Sequence, residues 1–104
     1  MAKVIRNGNQ IELKLSNWEK IGAFHPNLVS DISWLTDQYQ VEDPWTLQTL
    51  RGIRAPGTGI PYVIMLGTLL HRKGRDFAAV YKRRPVTIYE FNQGPFKRWI
   101  VTNQ

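Results

Sequence analysis

The sequence predicts a mainly β protein: a single antiparallel barrel or sandwich of about seven strands with one short helix after the first hairpin. An α+β roll is the alternative. Three observations carry this. Turn residues recur at intervals of about 8–12 positions through the second half of the chain, as they do between short strands. Apolar and polar residues alternate between those turns. A lone capping signature, Ser16-Asn17-Trp18-Glu19, follows the first such pair of strands. At 104 residues, 42% of them hydrophobic and 12% aromatic, the chain (1–104) has the length and composition of one domain with one core.

Residues 3–6 and 10–15 read as two strands joined by Asn7-Gly8, because the central positions of a type I′ hairpin need positive φ. Ile11, Leu13 and Leu15 alternate with Gln10, Glu12 and Lys14, the pattern of a strand with one wet face. In the capping box the Ser16 hydroxyl accepts from the Glu19 amide while the Glu19 carboxylate reaches back. Trp18, Ile21 and Phe24 then form the stripe expected to pack on the sheet, and Pro26 ends the helix. Residues 28–35 read as a third strand. Tyr39 and Val41 mark a fourth, interrupted at Glu42-Asp43-Pro44, and residues 45–50 fit either a continued strand or a helical turn. Residues 51–61 hold three glycines and two prolines, which exclude a regular helix and predict an ordered loop. Beyond it come strands at 62–70, 76–81, 86–91 and 96–102, with turns at 71–75, 82–85 and 92–95.

Charge is uneven. Residues 1–52 carry 5 basic and 6 acidic side chains, whereas residues 53–104 carry 9 basic and only Asp76 and Glu90. The excess lies in short clusters on turns, Arg72-Lys73-Gly74-Arg75 and Lys82-Arg83-Arg84 among them. Such a surface gathers anions, or simply keeps a small protein soluble and blunts its strand edges. There is no cysteine, so neither disulfides nor thiolate chemistry arise. The start lacks the apolar core of a signal peptide and no run is long enough to span a bilayer, so a soluble, cytoplasmic protein is expected.

The set Glu19-Lys20, Asp43-Pro44-Trp45, Arg51-Gly52-x-Arg54-Ala55-Pro56-Gly57-Thr58-Gly59-Ile60-Pro61, Leu66-Gly67-Thr68 and Asp76-Phe77-Ala78-Ala79-Val80 resembles a family of small, functionally uncharacterised bacterial proteins. Their layout is similar to bacterial pleckstrin-homology-like domains. The resemblance covers most of the chain, and its Arg-Gly-x-Arg-Ala-Pro block is the specific part. It implies a pleckstrin-homology-like barrel but no activity, since folds do not fix functions. Related sequences run on into Asp-Pro and a C-terminal helix where this chain stops at Thr102-Asn103-Gln104. Without that layer, the face carrying Trp99 is expected to be open to a second subunit.

The leading site is an anion or ligand site. Gly57-Thr58-Gly59 can bend into a nest of amides, flanked by Arg51 and Arg54, with Arg72, Arg75 and Arg83 on the neighbouring turns. The competing reading is a rigid loop whose arginines pair with Glu42, Asp43 or Asp76. Gly52-x4-Gly57-Thr58 lacks the lysine of a Walker A loop, so nucleotide hydrolysis is rejected. His25, His71 and the three serines form no nucleophile or metal pattern, so the protein is expected not to be an enzyme, with no catalytic residues, no metal and no cofactor. The expected function is a non-catalytic binding module for an anionic small molecule or a protein partner. Salt-sensitive nucleic-acid binding, peripheral attachment to an anionic membrane through the basic second half, and a homodimer are the alternatives.

Overall fold

The computed structural model describes residues 2–23, 25–46, 49–50, 53–60 and 62–103, with residues 53–57 described by their backbone alone. Among them run β1 (Lys3–Asn7), β2 (Gln10–Lys14), α1 (Asn17–Ala23), β3 (Leu28–Asp31), a 3₁₀ turn (Ile32–Trp34), β4 (Leu35–Val41), β5 (Ile53–Ile60), β6 (Ile64–His71), β7 (Gly74–Tyr81), β8 (Val86–Phe91) and β9 (Arg98–Thr102). The protein is mainly β. Its described residues form two sheets and no closed barrel, with nine strands rather than about seven. A three-stranded sheet has the order β1-β2-β3 and a six-stranded sheet the order β4-β8-β9-β7-β6-β5. The second is not wholly antiparallel, because β7 and β9 run parallel with Asp76 opposite Arg98.

The first hairpin closes one residue later than expected. Asn7 pairs with Gln10, leaving Gly8-Asn9 as the loop, with φ of 62° at Gly8. Asn9 keeps negative φ, which is the type II′ pattern with glycine first. The expected strand at 28–35 divides in two. The Asp31 carboxylate accepts from the amide and the hydroxyl of Ser33, at 2.9 and 2.8 Å, and this local acceptor bends the chain into the 3₁₀ turn. That turn carries the chain from one sheet to the other. The same two bonds from Ser33 hold the Asp31 carboxyl below its ordinary range.

The capping box forms: the Ser16 amide donates to Glu19 Oε1 at 2.8 Å and the Glu19 amide to Ser16 Oγ at 3.4 Å. The helix then presents an unexpected face to the sheet. Glu19 and Ala23 are fully buried, while Trp18 and Ile21 face outward. Phe24 lies outside the described residues. Gly22 lets the helix approach, since a Cβ there would come within 3.1 Å of Leu66 Cδ2, and its carbonyl accepts from Thr58 Oγ1 at 2.8 Å.

The main core lies between the sheets. Ile11, Leu13, Leu15 and Leu28 meet Leu66, Phe77, Ala79, Phe91, Trp99 and Val101. Ala78, Val80, Val86, Ile88 and Ile100 form a second cluster, with Trp45 and Leu50 packed on it. Strand β7 is therefore buried from Asp76 to Val80, which explains its continuous apolar reading. No described helix is long and apolar enough to cross a membrane.

Candidate functional site

The expected loop at 51–61 is largely strand. Ile53–Ile60 form β5, and Gly57, Thr58 and Gly59 stand opposite Gly67, Leu66 and Met65 in the ladder with β6. An extended, laddered segment does not curl its amides into a cup. Arg51 lies outside the described residues. The backbone of Arg54 stands opposite Leu69, and its side chain lies outside the description.

The remaining predicted cations separate to opposite ends of the six-stranded sheet. Arg72 and Arg75 flank the β6–β7 turn. Arg83 sits beyond the other end of β7, about 23 Å away at ~3.3 Å per residue. There Arg83 Nη2 pairs with Asp43 Oδ2 at 2.6 Å on the surface. Asp43 is held below the ordinary carboxylate range by Arg83 and by the Trp45 amide, and Arg83 is raised in turn. Asp43, one of the carboxylates expected to pair with Arg51 or Arg54, is thus held by Arg83 instead.

At the Arg75 end the two sheets part around a cavity of about 490 Å³. Leu28 and Ser30 of β3, Thr68 and Leu70 of β6, Phe91 of β8, Trp99 of β9 and Arg75 of β7 line it, with His25 and Phe96 at one side. Leu70 and Arg75 are cross-strand partners, as are Thr68 and Phe77. Strand alternation therefore sends the Arg75 side chain to the face that bears Phe77, at the point where the intersheet core opens to water. The Arg75 side chain is exposed and has no hydrogen bond or ion pair among the described residues.

Aromatic edges hold the walls. His25 stands edge-on to Phe77 and Phe96 with centroids 5.6 and 5.5 Å away, and Phe77 meets Phe96 at 5.8 Å. His25 Nδ1 lies 2.8 Å from the Pro26 carbonyl, which can only accept, so Nδ1 carries the proton. Trp99 is 2% exposed, packed on Phe91 and Tyr89, and is not the open face expected for it. Phe91 and Tyr89 of β8 cover it. Exposed Lys97 reaches the same end, its stem lying along Gly74 and its amide donating to the Arg75 carbonyl at 2.6 Å.

Beneath this end lies a buried polar cluster. Asp76 Oδ1 meets His71 Nε2 at 2.9 Å, and the Lys73 amide donates to His71 Nδ1 at 3.2 Å. With a donor aimed at Nδ1, the Nε2 proton goes to Asp76 and both ring nitrogens are engaged. Arg98 completes the cluster through Asp76 Oδ2 and the Thr49 carbonyl. Tyr39 donates to Glu90 at 2.5 Å, and burial together with that carboxylate raises the phenol above its ordinary range.

Sequence reasoning missed His25, Phe96 and Trp99 as cavity residues. The signal available was Phe96-Lys97-Arg98-Trp99, where two aromatics bracket two cations beside a turn. Comparison of the chain with protein-family models, curated proteins and solved structures finds no match in any of the three.

Proposed function

We propose that this protein is a non-catalytic binding module whose intersheet cavity takes a ligand with an apolar body and one anionic group. The observation that carries the reading is the cavity itself: aromatic and aliphatic walls, and in the lining the Arg75 guanidinium, which has no partner among the described residues. Pockets of this size with mostly apolar walls and a few placed polar groups are the usual form of small-molecule sites. Thr68, Ser30 and Asn27 add hydrogen-bonding groups to the lining. The fork of an arginine suits a carboxylate or a phosphate. Arg72, Lys73 and Lys97 raise the local anion concentration around the opening.

The test is titration calorimetry with 2-naphthoate, followed in parallel by intrinsic tryptophan fluorescence. One molecule per chain binds, and Arg75→Gln weakens it about tenfold, the worth of one charged hydrogen bond. Thr68→Trp blocks the cavity and abolishes binding, whereas Arg83→Gln at the far end leaves it intact. Equal affinity for the uncharged 2-naphthylmethanol, or no binding of either, overturns the reading.

A further inference from the structure

The end of the sheet away from the cavity carries an apolar surface of its own. Ile60, Tyr62 and Val63, at the β5–β6 turn, are 53%, 56% and 52% exposed. Single exposed apolar residues are ordinary, but several at one tip make a patch. Tyr62 has φ of 63° and Lys82 φ of 56°, and they are the two non-glycine residues in left-handed backbone among those described. The two turns adjoin, since the Lys82 amide donates to the Val63 carbonyl at 2.8 Å. Left-handed backbone in bulky side chains is costly and tends to persist where a surface is used.

The β7–β8 turn adds charge to that tip. Lys82, Arg83 and Arg84 are all exposed. The Trp45 indole donates to the Lys82 carbonyl at 2.7 Å, and its ring lies 5.7 Å from that of Tyr62. The Arg83 guanidinium sits 5.1 Å over the Tyr62 ring. On the flank, Trp18 meets Tyr81 edge-on at 5.9 Å, and Ile21, 74% exposed, follows one turn along α1. Asp43 at this tip is taken up by Arg83. The side chains of Lys82 and Arg84 have no partner among the described residues.

We propose that this tip docks the protein on an anionic lipid bilayer, Tyr62 and Val63 entering the headgroup boundary while Lys82 and Arg84 lie against anionic headgroups. Charge complementarity selects the occupant. An apolar protein surface would have to bury unpaired cations along with Val63, and a second copy would bring like charges together. A nucleic acid would use the cations but gain little from Ile60 and Val63. A bilayer takes the apolar side chains inward and keeps the cations in its charged layer, which supplies the two signals that stable attachment needs.

The experiment is cosedimentation of the full chain with vesicles of phosphatidylcholine alone and of phosphatidylcholine mixed with phosphatidylglycerol. The protein binds the mixed vesicles only. Partitioning falls at least about tenfold in Tyr62→Ser/Val63→Ser, two apolar side chains being lost from the boundary, and by a similar factor in Lys82→Glu/Arg84→Glu. Arg72→Glu/Lys73→Glu, the same charge change at the other end of β6 and β7, keeps its binding. Thermal melts confirm that each variant is folded. Equal loss in the two charge variants with none in the apolar variant overturns the proposal in favour of a generic basic surface. It is also overturned by absence of vesicle binding at low salt, or by self-association that Tyr62→Ser/Val63→Ser removes.

Discussion

Arg98 grips Asp76 with two N–H groups, from Nε at 2.9 Å and from Nη2 at 2.7 Å, where the side chains are 6% and 0% exposed. The two residues face each other across the parallel pair β7 and β9. No hairpin can close a parallel pair, and here the chain passes through β8 on the far side of β9 before returning beside β7. The ion pair therefore helps fix the register of a ladder that no tight turn closes.

Breaking this pair from one side leaves a buried charge unmet. Asp76→Ala and Arg98→Ala are each expected to cost about 3–5 kcal/mol in urea unfolding. The double variant Asp76→Leu/Arg98→Met removes both charges and should recover a large part of the loss, because paired apolar replacement is often nearly neutral. A double variant as unstable as the two single losses added together would show that the pair is not the unit.

The Tyr81 phenol, which donates to the fully buried Glu19 carboxylate, is raised well above its ordinary value of 10.0 by burial first and by Glu19 second. A raised value in the folded state means that the protonated phenol is favoured there. Its contribution is fully present below about pH 10 and is lost as pH climbs beyond it. Tyr39 and Tyr89 are raised in the same sense. Alkaline titration of stability should accordingly fall above pH 10, and Tyr81→Phe should flatten that fall while lowering stability at neutral pH. An unchanged alkaline slope in Tyr81→Phe would refute the assignment.

The Glu19 carboxylate serves two masters, the Ser16 amide and the Tyr81 hydroxyl. Ser16→Ala removes only the hydroxyl half of the cap and is expected to cost about 1 kcal/mol. Glu19→Ala removes the cap and also strands the phenol, so its cost should exceed that of Ser16→Ala by a clear margin. Circular dichroism melts of the two variants make the comparison.

Local chemistry was legible in the sequence, and long-range partnership was not. The Ser16–Glu19 box, the Ile11/Leu13/Leu15 alternation and the turns around Gly74 and Lys82 announce themselves within a few residues. The inward face of α1 does not, because the partner that satisfies Glu19 lies 62 residues away. Without Tyr81, an apolar stripe through Trp18 and Ile21 is the better guess. Residues 53–60 misled for another reason. Proline and glycine argue against an interior strand, but β5 is the outermost strand of its sheet and its register shifts between Arg54 and Gly57. An edge with a bulge is where a strand tolerates proline. Of the candidate site, the cations were visible one by one. The cavity was not, because it is made by two sheets meeting.

Gly74 ties the β6–β7 turn to the mouth of the cavity. Its φ is 138°, in a region that only glycine enters freely, and a Cβ would stand 3.2 Å from Lys97 Cγ. The neighbouring Arg75 begins the cavity wall, and its carbonyl accepts from the Lys97 amide. Gly74→Ala must therefore either strain the backbone, at about 1–3 kcal/mol, or rebuild the turn and swing Arg72 and Arg75 away from the opening. Urea unfolding measures the first consequence and naphthoate affinity the second. Weaker binding in a variant that still melts cooperatively would show that the turn aims Arg75 into the cavity. Full affinity alongside lowered stability would confine the glycine to a backbone role.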